Sequence, residues 1–68
     1  MSITEAFKEL INSEAFKEIA KQRDSLGGKY RLYISRFNRR ELKVGAMVEV
    51  LLDNGYEVKA NKVKRKIR

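Results

Sequence analysis

The stretch EAFKELINSEAFKEI, residues 5–19, contains nearly the same phrase twice, nine residues apart. An α-helix turns about 100° per residue, so this shift would place Phe7 and Phe16 on opposite sides of one continuous helix. A small domain covers both sides of a single helix poorly, whereas two short helices can each bury one stripe. Asn12 and Ser13 are poor interior residues and good helix caps. The pattern therefore predicts two helices that meet there, with one long helix as the alternative.

Capping and turn signals set the limits of these two helices. Ser13 is the predicted N-cap of the second helix, and Ser2 with Glu5 has the spacing of a capping box at the start of the first. The second helix is expected to end near residue 24, and the glycine pair at residues 27–28 predicts a turn.

The next stretch, KYRLYISRFNRREL (residues 29–42), has an apolar stripe at i, i+3, i+4 and i+7, formed by Tyr30, Tyr33, Ile34 and Phe37. This spacing favours a helix. The alternation of apolar and polar residues over residues 30–35 also fits a strand, and the residue types suit one. Both interpretations stay open, with the helix preferred.

The most apolar stretch, VGAMVEVLLDNG (residues 44–55), predicts a buried helix with the stripe Val44, Met47, Val48, Leu51 and Leu52. Asn54-Gly55 is a C-terminal stop signal. The alternating YEVKANKV then predicts a short strand or an extended arm. The sequence thus predicts a mostly α protein, a small bundle of about four short helices over residues 1–58. A basic C-terminal arm follows over residues 59–68.

Charge is unevenly distributed along the 68 residues, which carry 16 Lys and Arg against 9 Asp and Glu, a net charge of +7. Residues 1–28 are close to neutral, whereas residues 29–68 hold 12 basic and 4 acidic side chains. Such an imbalance indicates a polyanionic partner for the second half, with nucleic acid favoured over a membrane surface.

The composition argues against catalysis. Cysteine and histidine are absent, which excludes disulfides, thiolate metal sites and the commonest general base. No phosphate-binding glycine motif is present, and the acidic residues alternate with lysines as on solvated helix faces. We therefore expect no enzyme, cofactor or metal. No apolar run reaches the roughly 20 residues of a membrane span, and a secretory signal is lacking, so a cytoplasmic, nucleoid-associated protein is expected.

Cations surround the apolar stripe of residues 29–42 and dominate the C-terminal tail. A helix that packs by its tyrosines would present these cations outward, where a DNA duplex would gain counterion-release free energy. Arginine also suits bidentate reading of guanine, and Ser35 and Asn38 suit contacts to phosphates or base edges. The predicted basic contacts are Lys29, Arg31, Arg36, Arg39, Arg40 and Lys43, and in the tail Lys62, Lys64, Arg65, Lys66 and Arg68.

The segment YISRFNRRELKVGAMVEVLLDNGYEV (residues 33–58) resembles the latter half of Cro/repressor-type helix-turn-helix domains. Residues 34–39, ISRFNR, are similar to the end of the family's recognition helix, and residues 46–52 to the apolar helix that closes its core. The family usually has a glycine after the recognition helix, where Arg39 or Arg40 stands here. The resemblance covers about residues 13–58.

This resemblance implies a helix-turn-helix domain that acts as a homodimer on a palindromic operator, with the helix at residues 29–38 entering the major groove. The implied contacts to DNA are Lys29, Arg31, Leu32, Ser35 and Arg36, with Asn38, Arg39 and Arg40 clamping phosphates. The expected function is transcriptional regulation, such as repression, in a bacterium, phage or mobile element by occupancy of the operator.

Three alternatives remain at this stage. A ribbon-helix-helix-like dimer would use residues 29–37 as a strand in the major groove. A phage-type interaction module would inhibit an acidic host protein through the same positive surface. RNA binding is the third alternative, because basic helices also suit RNA.

Overall fold

The computed structural model describes residues 1–59 and 62–65 of the chain. In this part, four helices are followed by a two-stranded antiparallel sheet. The elements are α1 (Ile3–Ile11), α2 (Glu14–Lys21), α3 (Ser25–Asn38), α4 (Val44–Asp53), β1 (Tyr56–Lys59) and β2 (Lys62–Arg65). The predicted mostly helical fold with a short C-terminal strand is confirmed. The chain divides into two units, residues 11–42, and residues 1–10 together with the chain from Lys43 onward.

The repeated phrase forms two separate helices, as predicted. α1 ends at Ile11 and α2 begins at Glu14. Ser13 is the N-cap of α2, and its Oγ accepts a hydrogen bond from the backbone N–H of Phe16 at 3.3 Å. Because the helix is interrupted here, Phe7 and Phe16 belong to different helices, and both are fully buried. The alternative of one long helix is wrong.

The start of α1 is stabilised by the predicted capping box. The backbone N–H of Ser2 donates to Glu5 Oε1 at 3.2 Å, and the Glu5 N–H donates to Ser2 Oγ at 3.1 Å. The hydrogen bond that the Glu5 carboxylate accepts from the Ser2 backbone N–H lowers the pKa of this carboxyl below its ordinary value. An interaction of the same carboxylate with the Ser2 hydroxyl is the second cause. The carboxylate thus keeps its negative charge beside the positive end of the helix dipole.

Three residues, 22–24, join α2 to α3, and the two helices pack on each other. Asp24 is the N-cap of α3, and its Oδ1 accepts a hydrogen bond from the Gly27 N–H at 2.8 Å. The turn predicted at residues 27–28 is therefore wrong, because both glycines lie in the first turns of α3. The cap at Asp24 outweighs the low helix propensity of the glycine pair.

Residues 29–37 are helical throughout, so the strand alternative is wrong, and a ribbon-helix-helix arrangement of this segment is excluded with it. Tyr30 is buried, and its ring stacks on that of Phe16 with centroids 4.4 Å apart and planes inclined by 9°. The remaining residues of the predicted stripe, Tyr33, Ile34 and Phe37, are partly buried. The apolar side of α3 thus packs inward, as the helical interpretation predicted.

At Gly27, α3 packs tightly against the end of α2. A Cβ atom there would overlap the carbonyl oxygen of Gln22 and lie 3.0 Å from that of Ile19. Both obstacles are backbone atoms near the end of α2, so neither can rotate away as a side chain could. Position 27 therefore requires glycine for close approach of the two helices.

α3 ends in a Schellman motif that has arginine in the place where glycine is usual. The Arg40 N–H donates to Phe37 O at 3.0 Å, and the Glu41 N–H donates to Arg36 O at 2.8 Å, the two bonds that define this motif. Arg40 has a φ of 59°, in the left-handed region. That conformation costs a non-glycine residue about 1–2 kcal/mol. Arg40 is one of the two positions, Arg39 being the other, at which the family that the sequence resembles usually has a glycine.

α4 ends as predicted, with Gly55 at a φ of 85° just beyond its C-cap. Its buried residues are Met47, Val50 and Leu51. Two residues of the predicted stripe are instead exposed, Val44 at 56% and Leu52 at 54%. Val44 is the first residue of the helix, and Leu52 lies about 100° around the helix from Leu51. The inward side of α4 is therefore narrower than the sequence indicated.

The C-terminal residues form a hairpin in which β1 pairs with β2 in antiparallel register, Val58 opposite Val63. Val63 is buried, and its backbone N–H donates to Met1 O at 2.9 Å. The Tyr56 hydroxyl donates to Glu9 Oε1 at 3.1 Å, which connects β1 to α1. Residues 62–65, predicted within an arm, are thus a paired strand, and the predicted boundary after residue 58 falls inside β1.

Candidate nucleic-acid interface

The side of α3 that is turned away from its contacts with α2 carries polar and basic residues. Helical spacing places Leu32, Ser35 and Arg36 about 140–240° around the helix from the buried Tyr30. All three are exposed. We call the surface formed by Lys29, Leu32, Ser35, Arg36 and Arg39 the basic face of α3. Residues 25–40 contain five basic residues and no acidic one, so this face is predominantly positive; Glu41, just beyond the helix, lies 3.8 Å from Arg39.

Lys29 lies at the edge of the basic face and is partly buried. Its Nζ is 5.6 Å from the centroid of the Tyr33 ring, a cation–π distance. The contact orders the lysine stem along the helix surface. Lys29 can therefore add to the positive potential of the basic face.

Arg31 differs from the other predicted contacts, because its guanidinium is hydrogen-bonded to the end of α2, although the residue itself is exposed. Its Nη1 donates to the carbonyl oxygens of Ala20 at 2.6 Å and Gln22 at 2.7 Å. These carbonyls belong to the end of α2, where helical partners are lacking and a cation is favourable. The structure thus gives Arg31 a role in holding α3 against α2, which the sequence did not indicate.

The C-terminal end of α3 concentrates exposed polar groups. In the described part of the chain, Arg36 and Arg40 have no side-chain hydrogen bond or ion pair. Arg39 Nε lies 3.8 Å from Glu41 Oε2, and both side chains are 60% exposed, so the pair contributes little to stability and can open easily. Asn38 is the exposed last residue of α3. Together these side chains can accept an anionic backbone.

The remaining predicted contacts do not belong to the unit that contains α3. Lys43 is the exposed N-cap residue of α4, and its side chain makes no capping hydrogen bond. Lys62 and Lys64 are exposed on β2, and Arg65 ends that strand. Lys66 and Arg68 lie outside the described residues. The predicted contacts at residues 29–40 therefore lie in one unit, and those at Lys43, Lys62, Lys64 and Arg65 lie in the other.

Reasoning from the sequence missed the position of Gly28, which lies in α3 beside the basic face. Gly28 lies in α3 one turn before Leu32, yet a Cβ atom there would meet only Arg31 Nη2, at 3.8 Å. Packing therefore does not require glycine at this position. The sequence did contain a signal for this, because Gly28 follows the helix-capping Asp24 and precedes the helical stripe that begins at Tyr30. The glycine pair was instead interpreted as a turn.

The described residues offer no support for other kinds of site. They contain no group of three or more acidic, histidine or cysteine side chains arranged to hold a metal ion. No helix in them is long and apolar enough to cross a membrane. The ring of Tyr30, considered as a platform for stacking bases, is buried against Phe16. We take the basic face of α3 as the candidate interface because of its exposure and its charge.

Comparison of the chain with protein-family models, with curated proteins and with solved structures finds no match. The similarity to Cro/repressor-type domains therefore rests on the residues quoted above. Any function must be argued from the geometry and charge of the basic face.

Proposed function

We propose that this protein binds double-stranded DNA sequence-specifically through the basic face of α3 and regulates transcription by occupying an operator. The observation that carries the proposal is the exposed surface of α3, the second helix of a helix–turn–helix unit, which bears basic residues and no acidic residue of the helix itself. The side chain of Arg36, at the centre of this surface, makes no hydrogen bond or ion pair among the described residues. A cationic surface of this kind is fully hydrated alone and gains from contact with phosphates.

The dimensions of the helix suit the proposed partner. An α-helix is about 10–12 Å across with its side chains, and the major groove of B-DNA is about 12 Å wide. In the groove, Arg36 would donate two hydrogen bonds to a guanine, and Ser35 would reach a neighbouring base edge. Asn38, Arg39 and Arg40 at the end of α3 would contact phosphates and fix the orientation of the helix.

The connection between α2 and α3 also supports the proposal. Recognition helices of this class follow a first helix after a turn of about three or four residues, and here the turn comprises residues 22–24. The proposal includes a homodimer on a palindromic operator in a bacterium, phage or mobile element. Occupancy would exclude or recruit RNA polymerase at the nucleoid, and the protein would supply no chemistry of its own.

The test measures binding of a fluorescent random-sequence duplex across a salt series, followed by selection of the preferred sequence from the pool. The wild-type protein should bind with steep salt dependence. The double variant Arg36→Ala, Arg39→Ala should bind about tenfold more weakly. Its slope of log affinity against log salt should be shallower by about 1, because Arg39 contacts a phosphate and each such contact contributes about 0.9. Two inverted half-sites in the selected sequence would support the dimer.

The control is Lys8→Ala, Lys17→Ala, which removes the same charge from the exposed sides of α1 and α2. Its salt slope should equal that of the wild type; equal losses in both double variants would show a general charge effect and refute the assigned surface. A duplex RNA of the same sequence should compete poorly, since its major groove is deep and narrow. Absence of wild-type binding to any duplex at about 50 mM salt would refute DNA binding and redirect attention to an acidic protein partner.

A further inference from the structure

Gly28 is an unfavourable residue for its position in α3. Glycine inside a helix is up to about 1 kcal/mol less favourable than alanine. Unlike Gly27, whose missing Cβ is required by the carbonyls of α2, Gly28 faces open space apart from Arg31 Nη2 at 3.8 Å. The fold would accept a methyl group here. Gly28 is itself partly buried, but it has no side chain of its own to keep a partner away from the α3 backbone.

Leu32 lies one helical turn after Gly28, on the same side of α3. Helical side chains lean toward the N-terminus, so Leu32 covers the turn that contains Gly28. Leu32 is 44% exposed, and its neighbours on the basic face are Lys29, Ser35 and Arg36. We call Leu32 and the position without a side chain at Gly28 the notch; it is a small apolar patch in a polar, cationic surface, and the Arg31 guanidinium borders it.

We propose that the notch formed by Gly28 and Leu32 receives the C5 methyl group of a thymine in the major groove. The inference rests on the proposed function and names a base that the basic face would read. Thymine alone presents a methyl group in that groove, and apolar side chains are its usual contacts. Gly28 lets the helix backbone approach the base closely, and Leu32 supplies the apolar contact.

The neighbours of the notch determine which base pair lies beside the thymine. Arg36 follows Leu32 by one turn of α3 and suits the O6 and N7 acceptors of guanine. Lys29, on the edge of the face near Gly28, suits a phosphate or a guanine. The selected half-site should therefore contain a thymine with a guanine within one or two base pairs of it.

The experiment uses the full-length protein and the duplex selected from the random pool. Each thymine is replaced in turn by deoxyuridine, which lacks only the C5 methyl group. At one position in each half-site, the wild type should bind the uracil duplex about fourfold more weakly, because burying one such group is worth about 0.8 kcal/mol. Leu32→Ala should bind the thymine and uracil duplexes equally. Gly28→Ala should bind the thymine duplex more weakly and also lose most of the preference.

Two variants provide matched controls. Leu52→Ala removes another leucine, 54% exposed on α4, and Gly45→Ala fills another helical glycine with no atom within 4 Å. Both should keep the fourfold preference. Melting followed by circular dichroism should show that Leu32→Ala and Gly28→Ala are folded.

Three results would overturn the inference and leave DNA binding intact. They are equal wild-type affinity for thymine and uracil at every position, a selected site without thymine, and a preference that persists in Leu32→Ala. If the wild type binds no duplex, the proposed function fails, and the inference falls with it.

Discussion

The inward and outward sides of α3 differ most clearly at two adjacent glycines. Gly27 faces the end of α2, where backbone carbonyls leave no room for a Cβ atom, whereas a Cβ atom at Gly28 would meet only the Arg31 guanidinium, at 3.8 Å. The same contrast separates Tyr30, which stacks on Phe16, from Leu32, which stays exposed. One side of the helix is thus determined by packing inside the protein. The other side has residues that contacts within the fold do not require, and it is the surface that we propose binds DNA.

The largest test of this contrast compares alanine at the two glycines. Gly27→Ala should reduce the free energy of unfolding by about 3 kcal/mol, since overpacking against rigid backbone forces α2 and α3 apart. Gly28→Ala should raise it by up to about 1 kcal/mol, because alanine is the better helix former. Urea unfolding of both variants measures the two changes on the same protein.

The contrast would be broken if the two variants had equal stability. In a protein of 68 residues, 3 kcal/mol is a large part of the total, so Gly27→Ala is expected to be partly unfolded at 37 °C. Hydrogen exchange at α4 would show whether unfolding remains confined to the α2–α3 unit.

A second test compares the two arginines that lie on different sides of α3. Arg31→Met keeps an unbranched stem but removes both hydrogen bonds to the α2 carbonyls. It should lower the free energy of unfolding by only about 1 kcal/mol, because solvent exposure weakens these charge-assisted bonds. Arg36→Met should change stability by less than about 0.5 kcal/mol, since the side chain has no partner in the described structure. Denaturant midpoints measure the difference.

Affinity for DNA should be reduced more by Arg36→Met than by Arg31→Met, the opposite of their order in stability. Arg36→Met should weaken binding to the selected duplex and relax the preference for guanine at one position, whereas Arg31→Met should act only through the stability of the helix pair. If Arg31→Met lowered affinity under conditions where it is fully folded, its guanidinium would belong to the interface after all.

The smallest effect concerns the end of α3, where Arg40 has a positive φ. Arg40→Gly and Arg40→Ala both remove the charge, so their difference isolates the backbone conformation. Arg40→Gly should be about 1 kcal/mol more stable than Arg40→Ala, because only glycine adopts the left-handed region without strain. Thermal melts of the pair measure this difference. Equal melting temperatures would mean that Arg40 does not hold the left-handed conformation in solution.

Short-range signals predicted much of the fold correctly. The break at Ser13, the capping box of Ser2 and Glu5, and the stop at Gly55 depend on residues within four positions of one another, and all three are confirmed. The mistaken turn at residues 27–28 arose because glycine propensity was considered without its tertiary partner. Propensity describes an isolated segment, whereas Gly27 is selected by a neighbouring helix.

The candidate site was predicted in its composition but only partly in its arrangement. Charge asymmetry and helical spacing placed Lys29, Ser35 and Arg36 on one outer face, because both follow from the period of the helix. The hydrogen bonds of Arg31 join residues nine and eleven positions apart across two helices, a distance over which sequence periodicity carries no information.

The sequence by itself determined the number of helices, their caps and the sign of the charge on α3, because these depend on local hydrogen bonds and on helical periodicity. Only the tertiary structure decided which of two adjacent glycines is required by packing, and which arginine supports α2 rather than facing solvent. Those distinctions depend on which atoms of α2 lie beside α3, and a residue pattern does not specify such distances before the chain has folded.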